Sequence, residues 1–231
     1  MKRALVILTA SLVVSGCAHH VEYTLKESDR WQGQKVSATV YVKPFVDLSP
    51  YLTTPEEEIG EEVWRTNHRK GYAQTNLTAE VTAALVKHLN YSGLFTHPVA
   101  TTETNADLVL SGTLTRFETR ARVNTKAETI QAVSGGFGLI GALAGSATTS
   151  SMKSLIKTEV HIEDATLSDP AGNILWKNSI VVSNQWEDGF MAANETAVFF
   201  HCNDALKQAF SQMINQVGNS IATNPPPASK D

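Results

Sequence analysis

Residues 155–183 read as an antiparallel β-hairpin, and that hairpin sets the class of the fold. Ile156, Thr158, Val160 and Ile162 fall on one side of a strand within Ser151–Ser168, the period of two that a half-buried strand requires. Asp169-Pro170-Ala171-Gly172-Asn173 supplies residues that favour a turn, and Ile174–Ser183 returns as the second strand. Two further strands are predicted upstream. Val36–Phe45 places Val36, Ala38, Val40 and Val42 on one side until Pro44, which has no N–H to give a ladder. Ala106–Val123 is longer, and its apolar side changes: Leu108, Leu110 and Leu114 share one parity, Phe117, Ala121 and Val123 the other. The change falls near Gly112, where a bulge or sharp twist accounts for it. Arg116, Glu118, Arg120 and Arg122 then line the opposite side, which predicts a strand washed by solvent.

The helical signals lie around these strands. Leu77–Tyr91 carries Leu77, Val81, Ala84, Leu85 and Leu89 as one stripe, with Asn76 to cap it and Gly93 to end it. His88 sits at the stripe's edge. A last helix spans Val198–Val217, with Phe199, Cys202, Leu206, Phe210, Met213 and Val217 three or four residues apart. Residues 53–71 read as a third, charged helix. Thr54 and Glu57 form a capping box around Pro55, glutamates crowd the start, and Arg65, Arg69 and Lys70 crowd the end. On it Trp64, Arg65, His68 and Arg69 are either a partner-binding patch or a solvated face. The order of elements predicts an α/β (α+β) two-layer sandwich: a mainly antiparallel mixed sheet with two amphipathic helices on one face.

The amino end carries an address. Lys2 and Arg3 precede an apolar run, Ala4–Val13, too short to span a bilayer, and small residues follow at Val14-Ser15-Gly16-Cys17. That sequence resembles a bacterial lipobox. The resemblance implies cleavage between Gly16 and Cys17, a diacylglycerol on the Cys17 thiol and an N-acyl chain on its new amino group. Ala18, rather than an aspartate, then implies the outer membrane. Residues 1–16 are read as a lipoprotein signal, 17–35 as a lipidated tether, 36–217 as one domain and 218–231 as a disordered tail. The formal charge is −4, and losing Lys2 and Arg3 takes it to −6, which argues against a nucleic-acid partner. With Cys17 lipidated, Cys202 is read as a buried small hydrophobe; His201 beside it on a helix would point about 100° away.

Between the long strand and the hairpin lies a glycine-rich insert, residues 131–150. Gly136-Phe137-Gly138-Leu139-Ile140-Gly141 matches GxGxxG, but Ser146–Ser151 makes a poor crossover helix, and that reading is set aside. Two readings stay level: an apolar loop tucked on the domain's own sheet, and a self-association element through Gly138, Gly141 and Gly145. Insertion into the membrane ranks behind both. Motifs for zinc hydrolysis, nucleophile elbows, phosphate loops, paired cysteines and calcium loops are missing, so no catalytic residue, metal or cofactor beyond the acyl groups is assigned.

VYVKPFVDLS (Val40–Ser49), LTAEVTAALVKHLNYSGLF (Leu77–Phe95) and ADLVLSGTLTRFE (Ala106–Glu118) resemble a recurring bacterial envelope module. It is similar to the amino-terminal domain of TolB, the curli secretion pore lipoprotein and the lipoprotein activators of penicillin-binding proteins. VHIEDATLSDPAGNILW (Val160–Trp176) resembles their closing hairpin. The resemblance implies a non-enzymatic lipoprotein on the periplasmic side of the outer membrane. It would be an accessory or assembly component of an envelope machine, meeting a protein partner, with a second copy of itself as a further candidate. The alternative is a subunit of an oligomeric secretion or export pore; a hydrolase with an unrecognised site ranks last.

Overall fold

The computed structural model describes residues 20–49, 56–59, 62–67, 77–122, 125–136, 145, 153–189 and 195–223. Among these residues, seven strands form one sheet: β1 (Val40–Val42), β2 (Val46–Asp47), β3 (Glu56–Ile59), β4 (Glu62–Asn67), β5 (Leu108–Arg122), β6 (Lys153–Ser168) and β7 (Ile174–Gly189). The helices are α1 (Leu77–Ser92), α2 (Thr125–Gly135) and α3 (Glu195–Thr223). The long strands β5, β6 and β7 run antiparallel side by side. Along the other edge of β5, β1 and β2 pair in parallel with its first half and β4 pairs antiparallel with its end. The sheet is thus mixed and mainly antiparallel, with α1 and α3 packed on one face, as the sequence pattern predicts.

Alternation explains which face is covered. Ile156, Thr158, Val160 and Ile162 of β6 are all buried, and Ile180 and Val182 of β7 join them. Over these lies α3, whose Leu206, Phe210, Met213 and Val217 are buried at helical spacing. It runs antiparallel to β7, as Trp186 stacks on His201, Asn184 bonds Gln208, and Asn178 bonds Gln216. The predicted turn is present: Gly172 takes φ +89 and gives its N–H to the Asp169 carbonyl, while Asp169 carboxylate oxygens accept from Asn173. Gly93 ends α1 at φ +66.

The apolar switch in β5 comes from a bulge, but at Thr115, three residues beyond the expected Gly112: β5 steps from Leu114 to Arg116 while β6 steps only from Ile162 to His161. Its register against β6 shifts twice, between Ser111 and Thr113 and between Leu114 and Arg116. Gly112 lies in the first irregularity, where a Cβ would stand 2.9 Å from a Phe45 ring carbon and 3.1 Å from Ile162 Cγ2. Both neighbours are buried and have little room to yield. Gly112→Ala is therefore expected to cost about 1–3 kcal/mol by overpacking, measurable as a lower urea midpoint at an unchanged slope.

Four further sequence expectations are corrected. Residues 56–59 and 62–67, within the expected 53–71 helix, are the paired strands β3 and β4 instead, because β4 pairs with the end of β5 through Trp64↔Arg122 to Asn67↔Thr119. The carboxy-terminal tail begins later than 218, since α3 continues to Thr223 and buries Ile221. The polar side of β5 is not uniformly wet: Glu118 is 2% exposed, with Arg116 Nε at 3.5 Å and Arg120 Nε at 3.1 Å. Arg116 also reaches Glu159 on β6, so this side is an ionic ladder across two strands.

The fourth correction concerns the amino-terminal segment. From His20 onward it is no tether but a strap laid along the seam between α1 and α3. Glu80 of α1 accepts from the Val21 N–H at 2.9 Å and pairs with His20 Nδ1 at 3.0 Å, while the His20 carbonyl accepts from Asn203 of α3. Tyr23 donates to the Ala84 carbonyl, Asp29 pairs with Lys207 at 2.8 Å, and the Trp31 N–H donates to the Ser92 carbonyl. Trp31 also lies over Gly218, where a Cβ would stand 2.7 Å from its ring.

Candidate functional site

Helix α1 buries only one side. Its stripe of Leu77, Val81, Leu85 and Leu89 faces the core, and the strap covers the neighbouring side at Glu80 and Ala84. Among the described residues the third side stays uncovered. There Ala79, Ala83 and Val86 form one wall of a groove of about 640 Å³, with Tyr41 and Pro44 of the sheet edge as its floor and Val99–Thr101 as its far wall.

The far wall is fixed from both ends. Ala100 donates its N–H to the Val40 carbonyl at 2.7 Å, and Val99 donates to Asn90 Oδ1 at 2.9 Å. The hydroxyl of Thr82, inside the groove, is already spent: it donates to the Thr78 carbonyl at 2.7 Å and accepts from the Phe45 N–H at 3.2 Å. Among the described lining residues there is no Asp, Glu, His, Cys, Lys or Arg. What it offers chemically is apolar surface of fixed shape, suited to receive a side chain or chain segment.

Behind α1 lies a buried polar cluster. His88 is 0% exposed, between the Tyr23 hydroxyl at Nδ1 and the Ser211 hydroxyl at Nε2, each 3.4 Å away, with the Phe210 ring edge-on to it. Burial pushes its pKa down to about 4; Asp29 opposes the shift and Lys207 adds to it. Burial likewise raises the Tyr23 phenol, aided by Asp29. The imidazole is therefore neutral at ordinary pH and serves packing. No cleft opens onto it in the described core, and no group of three or more His, Cys, Asp or Glu able to hold a metal occurs among the described residues.

The residues singled out from sequence do not converge here. Cys17 and Gly16 lie outside the described residues, as do Arg69, Gly138 and Gly141. Trp64 and Arg65 belong to β4, at the far end of β5 from the groove. The insert's first residues are the end of α2, and Gly145 lies against that helix, where a Cβ would overlap the Ser134 side chain. Its smallness thus serves contact within one chain. Cys202 is buried in the core with Leu206 and Phe210.

With this geometry in view, five solved chains are comparable, one of which shows the extent of the likeness. Protein XCC0632 from Xanthomonas campestris, described under the family DUF330, superposes with a TM-score of 0.50 at 15% identity, over 82% of this chain and 89% of that one. The likeness is one of fold. No protein-family model matches the sequence, and no curated protein matches it. The groove is accordingly read from its own residues. Sequence reasoning missed it, although Ala79, Ala83 and Val86 recur at i, i+4 and i+7 on the side of α1 opposite its main stripe.

Proposed function

We propose that the protein is a lipid-anchored, non-enzymatic component of the bacterial envelope, held at the periplasmic face of the outer membrane and acting by contact with another envelope protein. One observation carries this reading. The strap leaves only Ala18 and His19 between Cys17, the lipidation candidate, and His20, which is clamped to α1. Three Cα–Cα steps reach at most about 11 Å. An acylated Cys17 therefore holds the domain close to the bilayer in a restricted orientation, with no long tether to let it roam. An anchor of several acyl chains makes that placement stable, since two already suffice.

The groove supports the contact part of the proposal. Its described lining is mainly apolar, the Thr82 hydroxyl is satisfied internally, and no Asp, Glu, His, Cys, Lys or Arg occurs among the described lining residues. Its occupant would be an apolar segment of a membrane-associated protein partner.

Two substitutions separate the parts. Cys17→Ala is expected to abolish incorporation of a fatty-acid label and move the protein to the soluble fraction; continued labelling refutes the anchor. Ala83 is exposed within the groove, so Ala83→Arg is expected to fill it without unfolding the domain. A photo-crosslinker at Ala79 in intact envelopes should capture one protein from the anchored chain, and that product should vanish with Ala83→Arg. A product unchanged by the arginine refutes the groove as the contact site.

A further inference from the structure

Phe200 is the most exposed large apolar side chain among the described residues, at 70%. The side of α3 that enters the core passes through Phe199, Cys202, Leu206 and Phe210, all buried, and turns Phe200 outward. Its place beside the strap gives that exposure a meaning. Asn203, one turn along the helix, donates its side-chain N–H to the His20 carbonyl at 3.0 Å. Residues three apart on a helix stand about 5–6 Å apart at Cβ, so Phe200 neighbours the point where the strap is clamped. The strap then follows α3 in the same direction, reaching Lys207 at Asp29 and Gly218 at Trp31. The covalent path to Cys17 therefore departs from the amino-terminal end of α3, and three Cα–Cα steps carry it at most about 11 Å.

The groups around Phe200 suit a membrane boundary. His201 lies between Phe200, edge-on at 5.9 Å, and the half-buried Trp186 of β7, at 4.4 Å and 30°. Tryptophan favours the level where headgroups meet acyl chains, because it offers an apolar body with one polar N–H. From Thr196 to Asn203 the sequence holds no acidic or basic residue other than His201. On Phe200's own side the first charge is Asp204, which accepts from Gln208 Nε2 at 2.9 Å. Asp204 stands about 6 Å farther along the helix axis. With the amino end of α3 toward the bilayer, the phenyl ring enters apolar surroundings while that carboxylate stays among polar groups. An interfacial helix sinks about 5–10 Å, which fits this spacing.

We infer that Phe200, backed by Trp186, enters the headgroup–acyl boundary of the same bilayer that holds Cys17. Resting on the acylated Cys17 proposed above, this is a second point of attachment, and it keeps the domain from swinging about its thioether.

The test uses the acylated full chain in vesicles of phosphatidylethanolamine and phosphatidylglycerol, with a benzoylphenylalanine photo-crosslinker at position 200. Mass spectrometry should find phospholipid attached there. It should find none when the crosslinker stands at Asn215, an exposed position about 22 Å farther along α3. With the crosslinker at position 186 instead, Phe200→Asp should lower phospholipid capture about tenfold, the least that withdrawing one aromatic ring from apolar surroundings costs. The thermal midpoint should not change, because the side chain is exposed. A wild type without fatty-acid label removes the anchor and the docking together. A labelled chain that captures no phospholipid at position 200, captures as much at 215, or is indifferent to Phe200→Asp overturns the docking alone. So does a protein, in place of lipid, captured at position 200 in intact envelopes.

Discussion

Phe210→Ala is expected to cost about 3–5 kcal/mol, the range for removing a large, fully buried aromatic side chain. The ring stands where all layers of the molecule meet. It is fully buried on α3, tilted against Phe45 from the sheet edge at 6.4 Å, and edge-on to His88 of α1 at the same separation. Tyr23 of the strap lies 5.8 Å from that same imidazole. No neighbour can close the gap without pulling another from its place, so little of the cavity relaxes. Urea denaturation followed by far-ultraviolet circular dichroism checks it: a loss under 1 kcal/mol would mean that the seam between helices and strap is far more compliant than its packing implies. A domain has only about 5–15 kcal/mol to lose, so this single change can remove a third of it.

The second large effect is a dependence on acid. His88 takes its proton near pH 6.5 when exposed and near 4 when folded, because burial penalises the imidazolium. Between those values the unfolded chain binds more protons, so stability rises with pH across that window. The contribution is complete above about pH 6.5, and about 3 kcal/mol of it is lost by pH 4. The groups facing the ring are the Tyr23 and Ser211 hydroxyls, with the Asp29–Lys207 pair beyond them. Asp29 does not mimic the effect. Burial raises its pKa, but the Lys207 pair and the Lys26 N–H outweigh burial and hold it below the ordinary carboxylate range, so its own loss begins at lower pH. His88→Leu should flatten the stability profile between pH 6.5 and 4; an unchanged slope would assign it to other groups.

How much of this was legible in the sequence depended on whether the cause was local. The β6–β7 hairpin and α1 announce themselves through period and turn chemistry, because the residues that make them also bury them. The β5 bulge was readable as a change of parity, but the glycine drew the reading to position 112 when the extra residue is Thr115. Residues 56–67 misled: their glutamate-to-arginine gradient suits a helix dipole, whereas what makes them strands is pairing with Thr119–Arg122, more than fifty positions away. The strap was missed for a related reason. Val21, Tyr23 and Trp31 have no period, since each fits a different site on α1 or α3, and an aperiodic polar segment looks like a linker. Glu118 was placed on the correct side of β5, but alternation could not reveal that Arg116 and Arg120 fold over it.

The course of the strap also decides how the molecule bears load. A pull on the amino end along the seam strains the His20–Glu80, Tyr23–Ala84 and Asp29–Lys207 contacts together, and rupture must break them in parallel. A pull at right angles to the sheet instead peels the same contacts in sequence, beginning at His20. The domain is thus mechanically strong in one direction and weak in the other, an anisotropy that force spectroscopy from two attachment geometries would measure directly.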